Sequence, residues 1–359
     1  MSEGASVIET PLAALHRAAG ARMGEWFGCA LPDDFGDIAA EERLAMESVA
    51  LIDKNYRAYL AFTGPDRVRY LNAILTNNVK DLEAGAGSVS LLLNPQGRIL
   101  AEIETYAFED RLFCVSYAMI RQRLIEWLDK YIIMDDVTLT DETERFGTLA
   151  LEGPKAAEVV KKLTGLELAA LGELSLTETK VDGIGCRLGK RSPGGVAVAE
   201  FLAERGDLLK LWGALEAAVR REGGGPIGFQ ALSARRLAQG IPWFGYDFGE
   251  QQIPHEAGLE QSHISYTKGC YTGQEIVERV RSRGQVNRVR VLMKFAGSEL
   301  PGAGEPLLAD GKEIGRVTRS AFSHALGAVI GMGYVRRENS AEGSALQWAG
   351  NTATVINPN

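Results

Sequence analysis

The chain has 359 residues, too many for one ordinary hydrophobic core, so two or three domains are expected. Hydrophobic residues make up 45% and charged residues 24%, the balance of a soluble globular protein. A net charge of −8 argues against a general nucleic-acid coat, because phosphate recognition needs a basic surface.

The N-terminal stretch MSEGASVIETPLAALHRAAG has no charged segment leading into an apolar one, so it is not read as a signal peptide. No run nears the roughly 18 apolar residues of a membrane span. A cytoplasmic location without membrane contact is expected. Cys29, Cys114, Cys186 and Cys270 form no CxxC pair and the histidines show no ligand spacing. Neither a disulfide framework nor a metal site is expected.

In chain order, YLAFTGPDRVRYLNAIL (59–75) reads as a strand, a Gly-Pro turn and a helix starting at the proline. Proline suits a first helical position because its φ is preset and its missing N–H had no partner there. RLFCVSY (111–117) is a strand and MIRQRLIEWLDKYI (119–132) an amphipathic helix. TLALEGPKAAEVVKKLT (148–164) repeats the first plan about 89 residues later, and GVAVAEFLA (195–203) with DLLKLWGALEAAVRR (207–221) repeats the second. Two related α+β units in tandem are predicted. In the strand at 195–203, Val196, Val198, Glu200 and Leu202 share parity, which puts a carboxylate on an apolar face. Such a group needs partners if it is buried and faces water if the strand is an edge. GGGPIG (223–228) and GIPWFGYDFGEQQIPHEAG (240–258) are irregular links of a kind that lines sites.

SYTKGCYTGQEIVERVRSRG (265–284) sets Cys270 one turn ahead of a helix. Thr272 and Glu275 form a capping box, Ile276, Val277 and Val280 share a face, and Gly284 suits the C-terminal stop. The helix N-terminus and Lys268 both favour a thiolate at Cys270. A small filler in a tight glycine turn is the alternative. Arg279, Arg281, Arg283, Arg288 and Arg290 fall within twelve residues. They suit a phosphate, a polyanionic cofactor tail or an acidic partner, or else form a solvated face. From about 285, short strands separated by turns, with the type I′ signal Asp310-Gly311, predict a small antiparallel barrel. The expected domains are 1–145, 146–283 and 284–359.

KGCYTGQE (268–275) resembles the signature of the YgfZ family, folate-binding relatives of the glycine-cleavage T-protein (aminomethyltransferase) that serve iron–sulfur enzyme maturation. TGPDRVRYLNAILTNNV (63–79), NPQGRILAE (94–102), ARRLAQGIPWFGYD (234–247) and PHEAGL (254–259) extend the likeness over nearly the whole chain. The resemblance implies two similar α+β domains and a C-terminal barrel around a central opening for tetrahydrofolate or a one-carbon derivative. It implies Cys270 as the reactive thiol, Glu200 as the pterin acceptor, and Arg236, Lys268 and Tyr271 as further cofactor contacts. Iron–sulfur assembly proteins are the macromolecular partners it implies, although a lone thiolate does not hold a cluster.

Two departures from the T-protein pattern matter. Its loop runs Gly-Gly-x-x-Asp-Asp, with the first aspartate working at the folate amines; here Ala101 stands at that place and Glu102 follows. On a strand, neighbours point to opposite faces, and general acid–base help is worth roughly 10²–10⁴ in rate. The T-protein's Tyr-Thr-Gly-Glu motif is replaced by RSPGG (191–195). The first expectation is therefore a tetrahydrofolate-binding protein supporting iron–sulfur cluster assembly or repair. Folate-dependent aminomethyl transfer is the alternative. An RNA-associated adaptor using the arginine cluster is a third reading, against which the net charge weighs.

Overall fold

Strands ahead of the two Gly-Pro turns, Arg57–Thr63 and Phe146–Glu152, organise the two α+β halves of the computed structural model, which describes residues 7–357. The first sheet has the order Gly87–Leu93, Ile99–Ala107, Leu112–Tyr117, Arg57–Thr63, Thr138–Asp141. The second runs Ser175–Val181, Ile184–Arg191, Val198–Glu204, Phe146–Glu152, Ala50–Asp53, Gly225–Pro226. The shared strand order bears out the duplication. Both sheets also exchange a strand. Ala50–Asp53 precedes Arg57–Thr63 in the chain yet pairs with Phe146–Glu152, whereas Thr138–Asp141 precedes Phe146–Glu152 yet pairs with Arg57–Thr63.

The exchange brings equivalent residues together. Tyr59 and Thr148, 89 positions apart, share a buried hydrogen bond of 2.7 Å between their hydroxyls. A residue meeting its own equivalent is the mark of a two-fold relation. The turns match as well. Gly64 and Gly153 have φ of 95° and 126°, and a Cβ on them would lie 2.2 Å from the Asp136 carbonyl oxygen and 2.5 Å from that of Ser48. Only glycine fits there. The helices do not start at the prolines as expected, but at Arg67 and Ala156. Each Gly-Pro is instead the start of a turn closed by the Gly64 and Gly153 carbonyls accepting the Arg67 and Ala156 amides. Proline takes the second turn position, where its φ is equally favoured.

Helices Ala156–Thr164 and Leu208–Arg221 bury Val159, Val160, Leu211 and Trp212 against Leu149, Leu151, Leu188 and Phe201 of the second sheet. GGGPIG is not wholly irregular, since Gly225 and Pro226 add a short parallel strand beside Ala50 and Leu51. From Arg288 the chain closes a barrel in the order Arg288–Phe295, Ala328–Arg336, Lys312–Ser323, Pro306–Ala309, Ala345–Trp348, Asn351–Ile356. Its interior holds Met293, Phe295, Leu307, Val317, Val329 and Trp348. Asp310 and Gly311 have φ of 49° and 71°, the pair of positive values that a type I′ hairpin requires.

By contacts the chain forms two units: the stretches up to Leu71, Val79–Val89 and Ile103–Ala231, and the stretches Asn72–Asn78, Ser90–Glu102 and Leu232 onward. Among the described residues, no helix is long and apolar enough to cross a membrane. Because each sheet needs a strand from the other half, residues 1–145 alone are expected to lack a stable fold. Circular dichroism of that fragment should show no cooperative melt, and mixing with 146–359 should restore one.

Candidate functional site

Glu200 lies on an interior strand, between Ile184–Arg191 and Phe146–Glu152, so it cannot be an edge residue facing water. Its Oε1 accepts from Lys54 Nζ at 2.7 Å and Arg57 Nη2 at 2.9 Å. Arg57 Nη1 also donates to Glu104 Oε1 at 2.9 Å, Arg191 donates to the same oxygen, and Tyr106 Oη donates to Glu104 Oε2 at 2.8 Å. Burial alone would raise the Glu200 carboxyl, but Arg57, Lys54 and Arg191 outweigh it and hold the group well below the usual carboxylate range. Three cations meet two carboxylates, which leaves one positive charge in this group.

This geometry refines the expected pterin contact. Both lone-pair directions of Glu200 Oε1 are engaged, so Oε2 is the oxygen to offer a ligand donor. Pairing through both oxygens would require Lys54 or Arg57 to move. Arg57 Nε is buried without a hydrogen-bond partner among the described residues. A ligand acceptor would satisfy it. Buried acceptor and orphaned donor side by side fit a heterocycle that carries both, as a reduced pterin does.

The second unit holds the signature. The expected capping box at Thr272 is absent: the helix runs Gln274–Arg283, its N-cap is Gly273, and no side chain caps it. Gly273 has φ 81°, and a Cβ there would sit 2.7 Å from the Asn94 carbonyl oxygen. The close approach to the 94–97 turn forces the left-handed residue and moves the helix start past the threonine. The C-terminal Gly284 is extended, with φ −127°, rather than left-handed. Lys268 donates to the carbonyl oxygens of Asn72 (2.6 Å), Asn77 (3.0 Å) and Leu75, and lies 5.3 Å from the centre of the Tyr271 ring. Burial pushes its ammonium down to about 8, yet all three carbonyls need its donors. Lys268 thus braces the loop 72–78, which is a positioning task. Tyr271 is buried, and its hydroxyl has no partner among the described residues.

Cys270 is exposed, whereas Cys29, Cys114 and Cys186 are buried. Burial pushes the Cys29 and Cys114 thiols up to about 12 and Cys186 to about 11. At neutral pH those three stay protonated, which favours Cys270 as the nucleophile. Ala101 is fully buried on Ile99–Ala107, and Glu102, of opposite parity, accepts from or shares a proton with His263 Nε2 at 3.0 Å. His263 Nδ1 in turn lies 2.7 Å from Ser262 Oγ. Arg236 is buried with its guanidinium 5.8 Å from the Trp243 ring, whose neighbour Arg319 pairs with Asp247 at 2.7 Å. In the arginine cluster, Arg290 is half-buried against the carbonyls of Ala257 and Gly240, and the side chain of Arg283 lies outside the described residues. Among the described residues no three His, Cys, Asp or Glu side chains gather as a metal site would require.

The model of the GCVT N-terminal domain matches residues 12–264, and that of the glycine cleavage T-protein C-terminal barrel domain matches 287–354. The chain belongs to the glycine-cleavage T-protein family. It is 29% identical to the aminomethyltransferase of Rubrobacter xylanophilus over 334 residues, covering 92% of this chain and 87% of the relative. It is 29% identical to that of Herpetosiphon aurantiacus over 330 residues, covering 91% and 90%. Its fold matches the glycine cleavage system aminomethyltransferase T from Bartonella henselae with a TM-score of 0.86 at 24% identity, covering 98% and 97%. These matches carry the T-protein family and the folate expectation that goes with it, not specifically its YgfZ branch.

Sequence reasoning did not single out Lys54, Arg57, Glu104 or Arg191. A signal existed: Lys54 and Arg57 stand in the mostly apolar stretch ALIDKNYRAYLAF (50–62), where a cation that becomes buried needs a partner. Arg57→Met is expected to cost about 3–5 kcal/mol in urea unfolding, because it strands two buried carboxylates. The sign with pH follows from the depressed Glu200. Its stabilising contribution is present above the unfolded glutamate value of about 4.3 and is lost as pH falls below it. The gap between the native chain and Arg57→Met should therefore be widest above ~pH 5 and narrow on acidification.

Proposed function

We propose that the chain binds tetrahydrofolate at the Glu200 cluster and uses the Cys270 thiol in support of iron–sulfur cluster assembly or repair. Family membership over nearly the whole chain supports the folate part. The observation that carries the rest is Ala101. A buried methyl stands where the T-protein pattern has its working carboxylate, and Glu102 is engaged by His263.

Bound folate would supply a carrier for one-carbon units. The chain's own residues would do the following. Glu200 Oε2 accepts from the heterocycle, and its charge is kept at neutral pH by Lys54 and Arg57. Arg57 Nε donates to a ligand acceptor. Lys268 holds the loop 72–78. Cys270 presents the accessible thiol.

The relatives, aminomethyltransferases at 25–29% identity, favour the other reading, folate-dependent aminomethyl transfer. That reading is weighed against a missing acid–base group. Turnover separates the two. With an aminomethyl donor and tetrahydrofolate, the chain is expected to form no appreciable methylenetetrahydrofolate, while calorimetry still detects folate binding. Robust product formation would establish the aminomethyltransferase reading instead.

Glu200→Gln is expected to weaken folate binding by about 1–3 kcal/mol, the worth of a hydrogen bond to a charged group. Unchanged affinity would remove Glu200 from the site. Cys270→Ser should keep the native melting temperature and folate affinity but fail to support iron–sulfur enzymes in cells lacking their own copy. Full support by that variant would end the thiol role.

A further inference from the structure

The arginines after the signature helix have no part in the folate reading, and the second unit gathers them. Strand Arg288–Phe295 pairs antiparallel with Ala328–Arg336 in a register that places Arg288 directly opposite Arg336. Arg337 follows, tied by its backbone N–H to the Asn287 carbonyl at 3.0 Å. Like charges directly opposite on neighbouring strands destabilise a sheet. Neither Arg288 nor Arg337 has a side-chain hydrogen bond or ion pair among the described residues, and Arg336 reaches only Glu338, at 3.9 Å. Only that distant Glu338 contact offsets the repulsion among the described residues.

Two adjoining cavities open beside these side chains. One, of about 620 Å³, is lined by Tyr266, Arg281, Arg290 and Arg337; the other, of about 820 Å³, by Arg288, Arg336 and Arg337. Arg281 lies 4.2 Å from the centre of the Tyr266 ring, which holds its guanidinium over the first cavity's wall. Every cation of both linings is an arginine. The planar fork of arginine matches a carboxylate with two parallel hydrogen bonds, a geometry that lysine lacks.

We infer that this surface is a docking site for an acidic, extended polypeptide segment of a partner protein. The spacing of charge favours a peptide over a nucleic acid. Glu256 and Glu260 line the first cavity and Glu338 the second. A duplex carries a negative charge every ~1.7 Å along its axis, so phosphates would fall against these glutamates. In an extended peptide, side chains of one face recur every ~6.6 Å, so acids can meet the arginines and leave the glutamates between them. A chain of net charge −8 also repels a continuous polyanion at long range, which a short acidic segment feels less.

The test is fluorescence anisotropy at low salt with a labelled twelve-residue peptide of alternating Glu and Ser, and a uridine 12-mer as the second probe. The peptide is expected to bind, more weakly as salt rises, and more tightly than the RNA. Arg288→Glu should weaken it at least tenfold, and adding Arg337→Glu should abolish binding. Arg288→Glu turns the repulsive cross-strand pair with Arg336 into an attractive one, so its melting temperature should equal or exceed that of the native chain. Loss of binding with an intact melt supports the docking site. No peptide binding, or binding unaffected by the substitutions, overturns it. Tighter RNA binding lost on the same substitutions overturns it too, and gives the surface to nucleic acid.

Discussion

Glu104 and Glu200 are buried inside the first unit, and Lys54, Arg57 and Arg191 converge on them. These five side chains come from both sheets. Breaking a buried ion pair costs far more than its formation adds to stability, so such a cluster acts mainly as a specification. A slip of one residue in any contributing strand would turn its charged member to the opposite face and leave the others unpaired. The cluster therefore fixes the register of the two sheets where they meet, next to the aromatic and aliphatic contacts of Tyr59, Tyr106, Phe113, Phe146 and Leu202.

The two-fold relation between the halves shows where the molecule departs from symmetry. Tyr59 and Thr148 are equivalents and touch; Gly64 and Gly153 are equivalents and make equivalent turns. By the same shift of 89, Arg57 corresponds to Phe146 and Lys54 to Thr143. One copy carries the cations and the other carries an aromatic ring and a hydroxyl. Thr143 Oγ1 accepts from the Tyr59 amide at 3.0 Å, a structural task. The duplication thus holds two matching frames, of which only one carries the buried ionic cluster. The exchanged strands hold the frames together, since neither sheet is complete without the other half.

Much of this was legible in the sequence. Strand and helix periodicity and the Asp310-Gly311 hairpin are local signals that became the expected elements; the repeated Gly-Pro marked the two equivalent turns, though each helix starts two residues past its proline. The parity argument put Glu200 on the right face because side-chain alternation is strict. Its partners were harder. Lys54 and Arg57 belong to a strand pair and turn whose neighbours are set by the exchange, and local periodicity carries no information on which strand a strand pairs with. The capping box at Thr272 failed for a related reason. Residues 94–97 press on Gly273 from a distant part of the chain, and that steric demand overrides a favourable local cap.

A fold shared with aminomethyltransferases fixes a backbone, not a reacting group. The strand Ile99–Ala107 shows how that backbone constrains side-chain placement here. Glu102, Glu104 and Tyr106 share one parity, while Ala101, Ile103 and Thr105 share the other. To bring the Glu102 carboxylate to the face of Ala101, the strand would have to slip by one residue. That slip would also carry Glu104 away from Arg57 and Arg191, and Tyr106 out of the apolar contacts it makes. The penalty for stranding a buried ion cluster greatly exceeds anything a new acid–base group could return to the fold. Recovery of a carboxylate on that face is therefore open only to substitution at position 101 itself. While alanine stands there, the backbone holds this strand in place with a methyl group at that point, and Cys270 is the one exposed cysteine of the four.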